Sequence, residues 1–100
     1  MLYMIYGEDV DNSLTLRLSV RDQHIQRLKD LQTEGKLVLA GPCPAIDCED
    51  PGDSGFTGSL IVAEFDSLEA AENWAGIDPY IKAGVYKNVT VKPYKKVLPA

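Results

Sequence analysis

Three short, uninterrupted apolar runs stand out along the chain, at residues 2–6, 37–40 and 60–63. Runs of this length, rich in branched and aromatic side chains, are typical of strands that are buried on both faces. The third run lies within a strand region that we place at 57–65, and a fourth strand region covers 85–97. We expect the second strand to end at Gly41 and Pro42, because proline has no N–H to donate to a neighbouring strand.

A helical pattern follows the first run. Between residues 21 and 34, apolar side chains recur at helical spacing, at Ile25, Leu28 and Leu31. Ser19 and Asp22 have approximate capping-box spacing, which favours a regular helix that begins near residue 20. Residues 14–18 alternate with period two, so they fit either a strand or an extension of this helix.

Two further helical segments are predicted after the third run. Asp66 or Ser67 can cap the first of them, which Gly76 ends. The apolar stripe of this helix consists of Leu68, Ala71, Trp74 and Ala75. Asp78 and Pro79 then open a short helical turn, because proline suits the first helical position and drives the preceding residue out of the helical region.

The resulting order is strand, helix, strand, strand, helix, strand. This order predicts one α+β domain over residues 1–100, with an antiparallel four-stranded sheet covered by two helices on one face in the split βαβ arrangement. Since the apolar runs do not alternate with polar residues, we expect the uncovered face to be apolar as well. Sheet-to-sheet pairing of two copies as a homodimer would bury that face. The last strand region is rich in lysine and suits a sheet edge.

Composition excludes several classes of partner. The 100 residues include fifteen acidic and ten basic side chains, giving a formal charge of -5 and a pI near 4.7. This is the wrong sign for attraction to nucleic-acid phosphates. No apolar stretch approaches the roughly 20 residues that cross a bilayer, and the N-terminal run is too short for a signal peptide and lacks its basic start. We expect a cytoplasmic protein with neither nucleic-acid nor membrane partners.

A metal site is not favoured by the potential ligands. Cys43 and Cys48 lie in a proline-rich segment and are predicted to be free thiols, since two cysteines do not make a disulfide framework. Structural zinc needs four ligands, and the only histidine, His24, is far away in the chain. The acidic loop lacks the alternation and terminal glutamate of a calcium loop and is expected to be solvated: Asp47, Glu49, Asp50 and Asp53.

His24 is the first candidate for chemistry. A regular helix places it four residues before Leu28, on the stripe that faces the sheet. It is either a core histidine satisfied by a backbone carbonyl or a general acid or base that titrates near neutral pH. If the helix reaches back far enough, Arg17 and Arg21 share this face and could bind an anionic group bidentately. The alternative for Arg21 is a solvated charge near the start of the helix.

Asp78 is the second candidate. Its structural explanation is the N-cap of the turn that Pro79 begins, and capping is compatible with holding an imidazole in one tautomer. Tyr80 could donate a phenolic hydrogen bond or simply pack. Residues 55–59 offer flexible backbone amides to an anion but match no phosphate loop. No spacing rule brings Asp78 to His24.

Taken together, the motifs resemble those of the YciI family. The resemblance covers residues 1–97 and rests on Arg17-x-x-x-Arg21-x-x-His24, Gly35-Lys36-Leu37, Ala40-Gly41-Pro42, Gly55-Phe-Thr-Gly58-Ser59, Phe65-x-Ser67-Leu-Glu-Ala-Ala71, Trp74 and Asp78-Pro-Tyr80-x-x-x-Gly84-Val85. It implies a ferredoxin-like α+β fold that dimerises through its sheets as a dimeric α+β barrel. It also implies that His24 and Asp78 form the family's proposed active-site pair in a cleft between helices and sheet. Arg17 and Ser59 are carried over as substrate-binding candidates.

Three functions remain open. The first is a cofactor-independent acid/base enzyme, a lyase or isomerase, in which His24 moves a proton, Asp78 orients it and an arginine holds a small anionic or aromatic substrate. The family resembles the muconolactone isomerases, and one of its relatives is a dehydrochlorinase. The second is a non-catalytic protein that binds a small ligand in the same cleft. The third, a cofactor-free monooxygenase, rests on analogy of fold alone. None of the three implies a cofactor or a metal.

Overall fold

One antiparallel sheet of four strands organises the computed structural model, which describes residues 1–100. The strands are β1 (Leu2–Asp9), β2 (Leu37–Pro44), β3 (Phe56–Glu64) and β4 (Tyr86–Tyr94), and they lie in the order β2-β3-β1-β4. The helices are α1 (Leu14–Thr33), α2 (Leu68–Gly76) and the single turn α3 (Pro79–Lys82), all on one face of the sheet. This is the ferredoxin-like α+β fold that the element order predicted. No helix has the length and apolar composition needed to cross a membrane.

The hydrophobic core lies between the helices and the sheet. Its buried members are contributed by β1, β3, α1 and α2: Ile5, Leu28, Leu31, Ile61, Ala63 and Ala75. Burial alternates along β1, because successive side chains of a strand point to opposite faces. Burying these side chains supplies the driving force that holds both long helices against one face.

Helix α1 begins six residues before the expected start near residue 20, so that prediction is wrong. Ser13 occupies the N-cap position, and its carbonyl accepts the first helical hydrogen bond from the Arg17 N–H at 2.9 Å. The Ser19 hydroxyl donates to the Leu16 carbonyl at 2.6 Å inside the helix instead of capping it. The period-two alternation of residues 14–18 therefore belongs to a helix. The hydrogen bonds of the buried Arg17 to Asp9 and Gly58 hold this segment against β1 and β3 and override the strand pattern.

Strand β2 continues through Gly41 and Pro42 to Pro44, so the predicted end at Gly41 is also wrong. Pro42 pairs in register with Ser59 of β3. The strand tolerates proline because it lies at an edge of the sheet, where one row of backbone groups has no neighbouring strand to pair with. Strand β4 forms the other edge and carries Pro93 in the same way. The expected edge position of the lysine-rich strand is thereby confirmed.

Helix α2 follows the predicted pattern except at its first residue. The Ser67 hydroxyl caps it by accepting from the Ala70 N–H at 3.0 Å. Leu68 is 39% exposed, so it does not belong to the buried stripe. It occupies the first helical position, before the helix has turned toward the sheet. The remaining members of the stripe are buried or half-buried: Ala71, Trp74 and Ala75.

The opposite face of the sheet is covered by no helix. On β1 and β3 the neighbours of the core residues Ile5 and Ile61 point to this face. They are apolar, as the sequence predicted: Met4, Tyr6, Leu60 and Val62. Leu39 extends the apolar surface on β2 and is exposed. We call this surface the open face.

Candidate active site

His24 and Asp78 form a buried pair. His24 lies on the sheet-facing side of α1, and Asp78 stands at the N-cap of α3, with 5% and 3% of their surfaces exposed. The imidazole Nδ1 lies 2.9 Å from Asp78 Oδ1 and 3.0 Å from Oδ2. The fold thus brings together two residues that no sequence spacing relates. The interpretation of His24 as a core histidine predicted a backbone carbonyl as its partner. In the structure the partner of His24 is a carboxylate instead.

The pairing defines which ring nitrogen carries the proton. A carboxylate only accepts, so the hydrogen bond assigns the proton of the neutral imidazole to Nδ1 and leaves a lone pair on Nε2. Nε2 makes no hydrogen bond within the chain. No side-chain nitrogen or oxygen atom is both fully buried and without a hydrogen-bond partner, and His24 lines a cavity. Nε2 therefore keeps contact with the cavity and can exchange a proton there.

Asp78 is held by two further donors. Its Oδ1 accepts from the backbone N–H of Tyr80 at 2.9 Å, and its Oδ2 accepts from Arg27 Nη1 at 3.0 Å. Arg27 is fixed in turn, since its Nη2 donates to the Trp74 carbonyl at 2.7 Å and its guanidinium lies 4.1 Å from the Trp74 ring centroid. These bonds leave the carboxylate one orientation. Sequence reasoning missed Arg27, although its position three residues after His24 places it on the same side of α1.

Tyr80 packs directly on the imidazole. Its side chain is buried, and its ring stacks on that of His24. Burial raises the pKa of Tyr80 above its ordinary value, against the opposing effect of the positive charges of Arg17 and Arg21. The phenol therefore stays neutral in the physiological range and can donate a hydrogen bond.

Arg17 forms a second buried pair, with Asp9 at the end of β1. Its Nε donates to Asp9 Oδ2 at 2.7 Å and its Nη2 to Oδ1 at 2.9 Å, the bidentate geometry of a guanidinium on a carboxylate. Nη2 also donates to the Gly58 carbonyl at 2.9 Å and to Ser59 Oγ at 2.8 Å. Burial alone would lower the pKa of Arg17, but the hydrogen bond and charge of Asp9 outweigh it and raise that pKa. The ion pair ties α1 to β1 and β3.

A cavity of about 300 Å³ lies between α1 and strands β2 and β3. Its walls are mostly apolar, with Leu18, Ile25 and Phe56 among them. Its polar lining consists of Arg17, Arg21, His24, Ser59 and Tyr80. Three of the four predicted site residues therefore line one cavity, and the fourth, Asp78, lies behind His24.

The remaining sequence candidates lie elsewhere. Cys43 and Cys48 are free, as predicted, and the second is exposed. The acidic side chains between residues 47 and 53 are exposed. No group of three or more histidine, cysteine, aspartate or glutamate side chains comes close enough together to hold a metal ion. In residues 55–59, the Gly58 carbonyl accepts from Arg17, so this segment contributes an acceptor to the ion pair.

The fold and these sites define the class of protein as a ferredoxin-like α+β domain with a histidine–carboxylate pair beside a small cavity. Residues 1–95 match the YCII-related domain, and the chain belongs to the YciI family. It is similar to Protein YciI of Escherichia coli, with 60% identity over 97 residues that cover 97% of this chain and 99% of that protein.

Two solved structures share the fold. One is the 5-chloro-2-hydroxyhydroquinone dehydrochlorinase TftG from Burkholderia phenoliruptrix, in complex with 2,5-dihydroxybenzoquinone. It is 28% identical, has a TM-score of 0.82 and is matched over 95% of this chain and 94% of its own. The other is an antibiotic biosynthesis monooxygenase, 15% identical with a TM-score of 0.50 over 97% of this chain and 99% of its own. This second likeness concerns the fold alone.

Proposed function

We propose that the protein is a cofactor-independent acid/base enzyme, a lyase or isomerase of the cytoplasm, that moves a proton on a small molecule bound in the cavity. His24 Nε2 takes or gives the proton. The observation that carries the proposal is the buried hydrogen bond from His24 Nδ1 to Asp78, which leaves Nε2 as the basic atom facing the cavity. Two free thiols fit a reducing compartment.

The pair suits both halves of a proton transfer. When Nε2 accepts a proton, the imidazole becomes a cation, and the adjacent Asp78 carboxylate stabilises it. Because Asp78 is already held by Arg27 and the Tyr80 N–H, the stabilising charge needs no rearrangement during the reaction. A purely structural histidine would gain nothing from contact with the cavity.

The similarity to TftG supports a lyase chemistry in particular. In a dehydrochlorination, a base takes a proton from one atom of the substrate, a new double bond forms, and chloride leaves with the electron pair of its bond. This step needs a base and space for the leaving group but neither an oxidant nor a reductant. We assign the base to His24. Contacts to the substrate come from the two other candidates, the Ser59 hydroxyl and Arg17 Nη1, the one nitrogen of Arg17 that makes no hydrogen bond within the chain.

The substitution His24→Asn tests the proposal sharply. The asparagine amide can replace Nδ1 as donor to Asp78 but has no atom at the position of Nε2. We expect the variant to fold and to release no chloride from 5-chloro-2-hydroxyhydroquinone, whereas wild type does. If wild type leaves this compound unchanged, a metabolite screen looks for any compound altered by wild type and not by His24→Asn. Equal turnover by both proteins would refute the role of His24.

A non-catalytic ligand-binding protein is the second candidate. It is favoured by the complete hydrogen bonding of Asp78, which also caps α3 and so has a structural task of its own. This function predicts that wild type binds a small molecule in the cavity and returns it unchanged. The screen distinguishes the two functions, because a compound bound and recovered intact supports binding alone. Oxygen consumption would instead indicate a monooxygenase.

We also propose that the open face is covered by a second copy of the chain, giving a homodimer through the sheets. A two-fold axis would place the apolar centres of both faces together and remove them from water. Leu60→Lys introduces a charge at this centre and is expected to yield monomers in analytical ultracentrifugation. Ile77→Lys changes an exposed apolar residue outside the sheet and serves as the matched control. Wild-type monomers at micromolar concentration would contradict the proposal.

A further inference from the structure

The cavity presents cations and no carboxylate, although the chain carries fifteen acidic residues and a formal charge of -5. Its titratable lining consists of two arginines, the histidine and a tyrosine. Asp9 and Asp78 lie behind Arg17 and His24 and do not line it. The local charge of the cavity is therefore opposite in sign to the charge of the protein.

The two arginines are not equivalent. Arg17 is buried, and three of its hydrogen bonds go to Asp9 and the Gly58 carbonyl, so its charge is neutralised inside the protein. Arg21 lies one turn further along α1, is exposed and has no carboxylate partner. The ion pairs of the chain are formed by other cations: Arg17, His24, Arg27, Lys36 and Lys87.

The free charge of Arg21 acts on the catalytic end of the cavity. Its positive charge opposes the burial effect on the pKa of Tyr80, the residue whose ring stacks on His24. Arg21 precedes His24 by three residues on α1 and both side chains line the same cavity, so one small molecule can touch both. A guanidinium offers paired donors that match a carboxylate or another oxyanion.

We infer that Arg21 is the anion-binding residue of the site, and that the ligand is a small organic acid. Its oxyanion would pair with Arg21, and its body would pack on apolar walls such as Leu18 and Ile25. This inference rests on the proposed function only in taking the cavity as the binding site. It assigns the recognition of the ligand's charge to the exposed Arg21. Arg17, whose charge is neutralised by Asp9, ties helix to sheet and keeps only Nη1 for a contact to the ligand.

The test uses two ring compounds of similar size as probes. 2,5-Dihydroxybenzoquinone is ionised at neutral pH, and hydroquinone is neutral. Titrations followed by NMR give the Kd of each probe for wild type, Arg21→Met and Arg21→Lys. Lys29→Met removes an exposed charge from the same helix away from the cavity and is the matched control.

We expect wild type to prefer the ionised probe. Arg21→Met should weaken its binding by about 10-fold or more, as expected for loss of a charge-assisted hydrogen bond. Binding of hydroquinone should stay within about twofold, Arg21→Lys should recover part of the preference, and Lys29→Met should match wild type. The inference is overturned if wild type shows no preference for the ionised probe, if neither probe binds, or if Arg21→Met weakens both probes equally.

Binding and turnover separate this inference from the proposed function. His24→Asn should keep the preference for the ionised probe while losing turnover. A His24→Asn protein that retains turnover refutes the acid/base role and leaves the anion site standing. If wild type shows no preference for the ionised probe, the anion site is refuted, and the proposed proton transfer is then judged by turnover alone.

Discussion

The phenol ring of Tyr80 lies parallel to the imidazole of His24, with ring centroids 3.9 Å apart and 7° between the two planes. The same residue donates its backbone N–H to Asp78, the carboxylate that holds the imidazole Nδ1. Tyr80 therefore restrains the imidazole out of its plane by stacking, while Asp78 restrains it in the plane by a hydrogen bond. The base that we propose is thus held in two directions before a ligand binds.

Two substitutions of Tyr80 should distinguish the contribution of its ring to kcat from that of its hydroxyl. Tyr80→Leu keeps an apolar side chain but removes the flat surface that holds the imidazole, so we expect kcat to fall by about 10-fold to 100-fold. Tyr80→Phe keeps the stacked ring and removes only the hydroxyl, so we expect its kcat to stay within about threefold of wild type. Steady-state kinetics of both variants make the comparison. Equal kcat for Tyr80→Leu and wild type would show that stacking plays no part.

Asp78→Asn should change the tautomer of His24. Asparagine still accepts from the Tyr80 N–H as a helix cap, but a neutral amide no longer stabilises an imidazolium. We expect turnover to be lost and the free energy of unfolding to fall by about 1–3 kcal/mol. The ¹⁵N chemical shifts of the His24 ring nitrogens report where the proton lies. Asp66→Asn, at an exposed carboxylate before α2, is the control and should leave both quantities unchanged.

Breaking the pair between Arg17 and Asp9 should be costly. Asp9→Asn leaves a buried guanidinium without its counter-charge, and we expect a loss of about 3–5 kcal/mol in urea denaturation. The double variant Asp9→Asn/Arg17→Met should lose less stability than the sum of the losses of Asp9→Asn and Arg17→Met, because it removes both charges. The exposed pair of Glu34 and Lys36 provides the comparison, with an expected effect of about 1 kcal/mol or less. Additive losses at Asp9 and Arg17 would contradict the coupling.

Stability should decline at alkaline pH through the half-buried phenol of Tyr86. Burial raises the pKa of Tyr86 above its ordinary value, so between that value and the folded-state pKa the folded chain holds a proton that the unfolded chain has released. The free energy of unfolding is independent of this group below about pH 10 and decreases as the pH rises above it. The free energy of unfolding of Tyr86→Phe should decrease less steeply than that of wild type between about pH 10 and 11. Parallel slopes for the two proteins in urea denaturation would refute this origin.

The order of elements could be predicted because each depends on local sequence. Short apolar runs mark the strands, and Ser67 and Asp78 cap the helices that follow them, as the sequence indicated. Strand β4 ends at Tyr94, three residues before the predicted end at 97. The two other errors in element boundaries, at the start of α1 and the end of β2, have a common cause. Both boundaries depend on tertiary position. The first turns of α1 are held by the ion pair of the buried Arg17 with Asp9, and β2 tolerates Pro42 because it lies at a sheet edge. Residue spacing contains no information on either contact.

The site was only partly predictable for the same reason. Helical spacing placed His24 on the buried stripe, and the proline that follows Asp78 marked it as a cap. Their contact depends on how α1 packs beside α3, which no local rule fixes, and the family resemblance supplied it. Asp9 is the last residue of β1, and no spacing rule relates it to Arg17; Arg27 was missed beside the histidine three residues before it.

Helix α3 is a single turn of four residues, and the carboxylate that begins it is also the partner of the imidazole. A helix this short has little stability of its own, so fraying of the turn and loss of the pair are one event. The Tyr80 amide donates its hydrogen to Asp78, so its rate of hydrogen–deuterium exchange reports how often this opening occurs. A bound ligand that protects this amide from exchange would be holding the pair of His24 and Asp78 together.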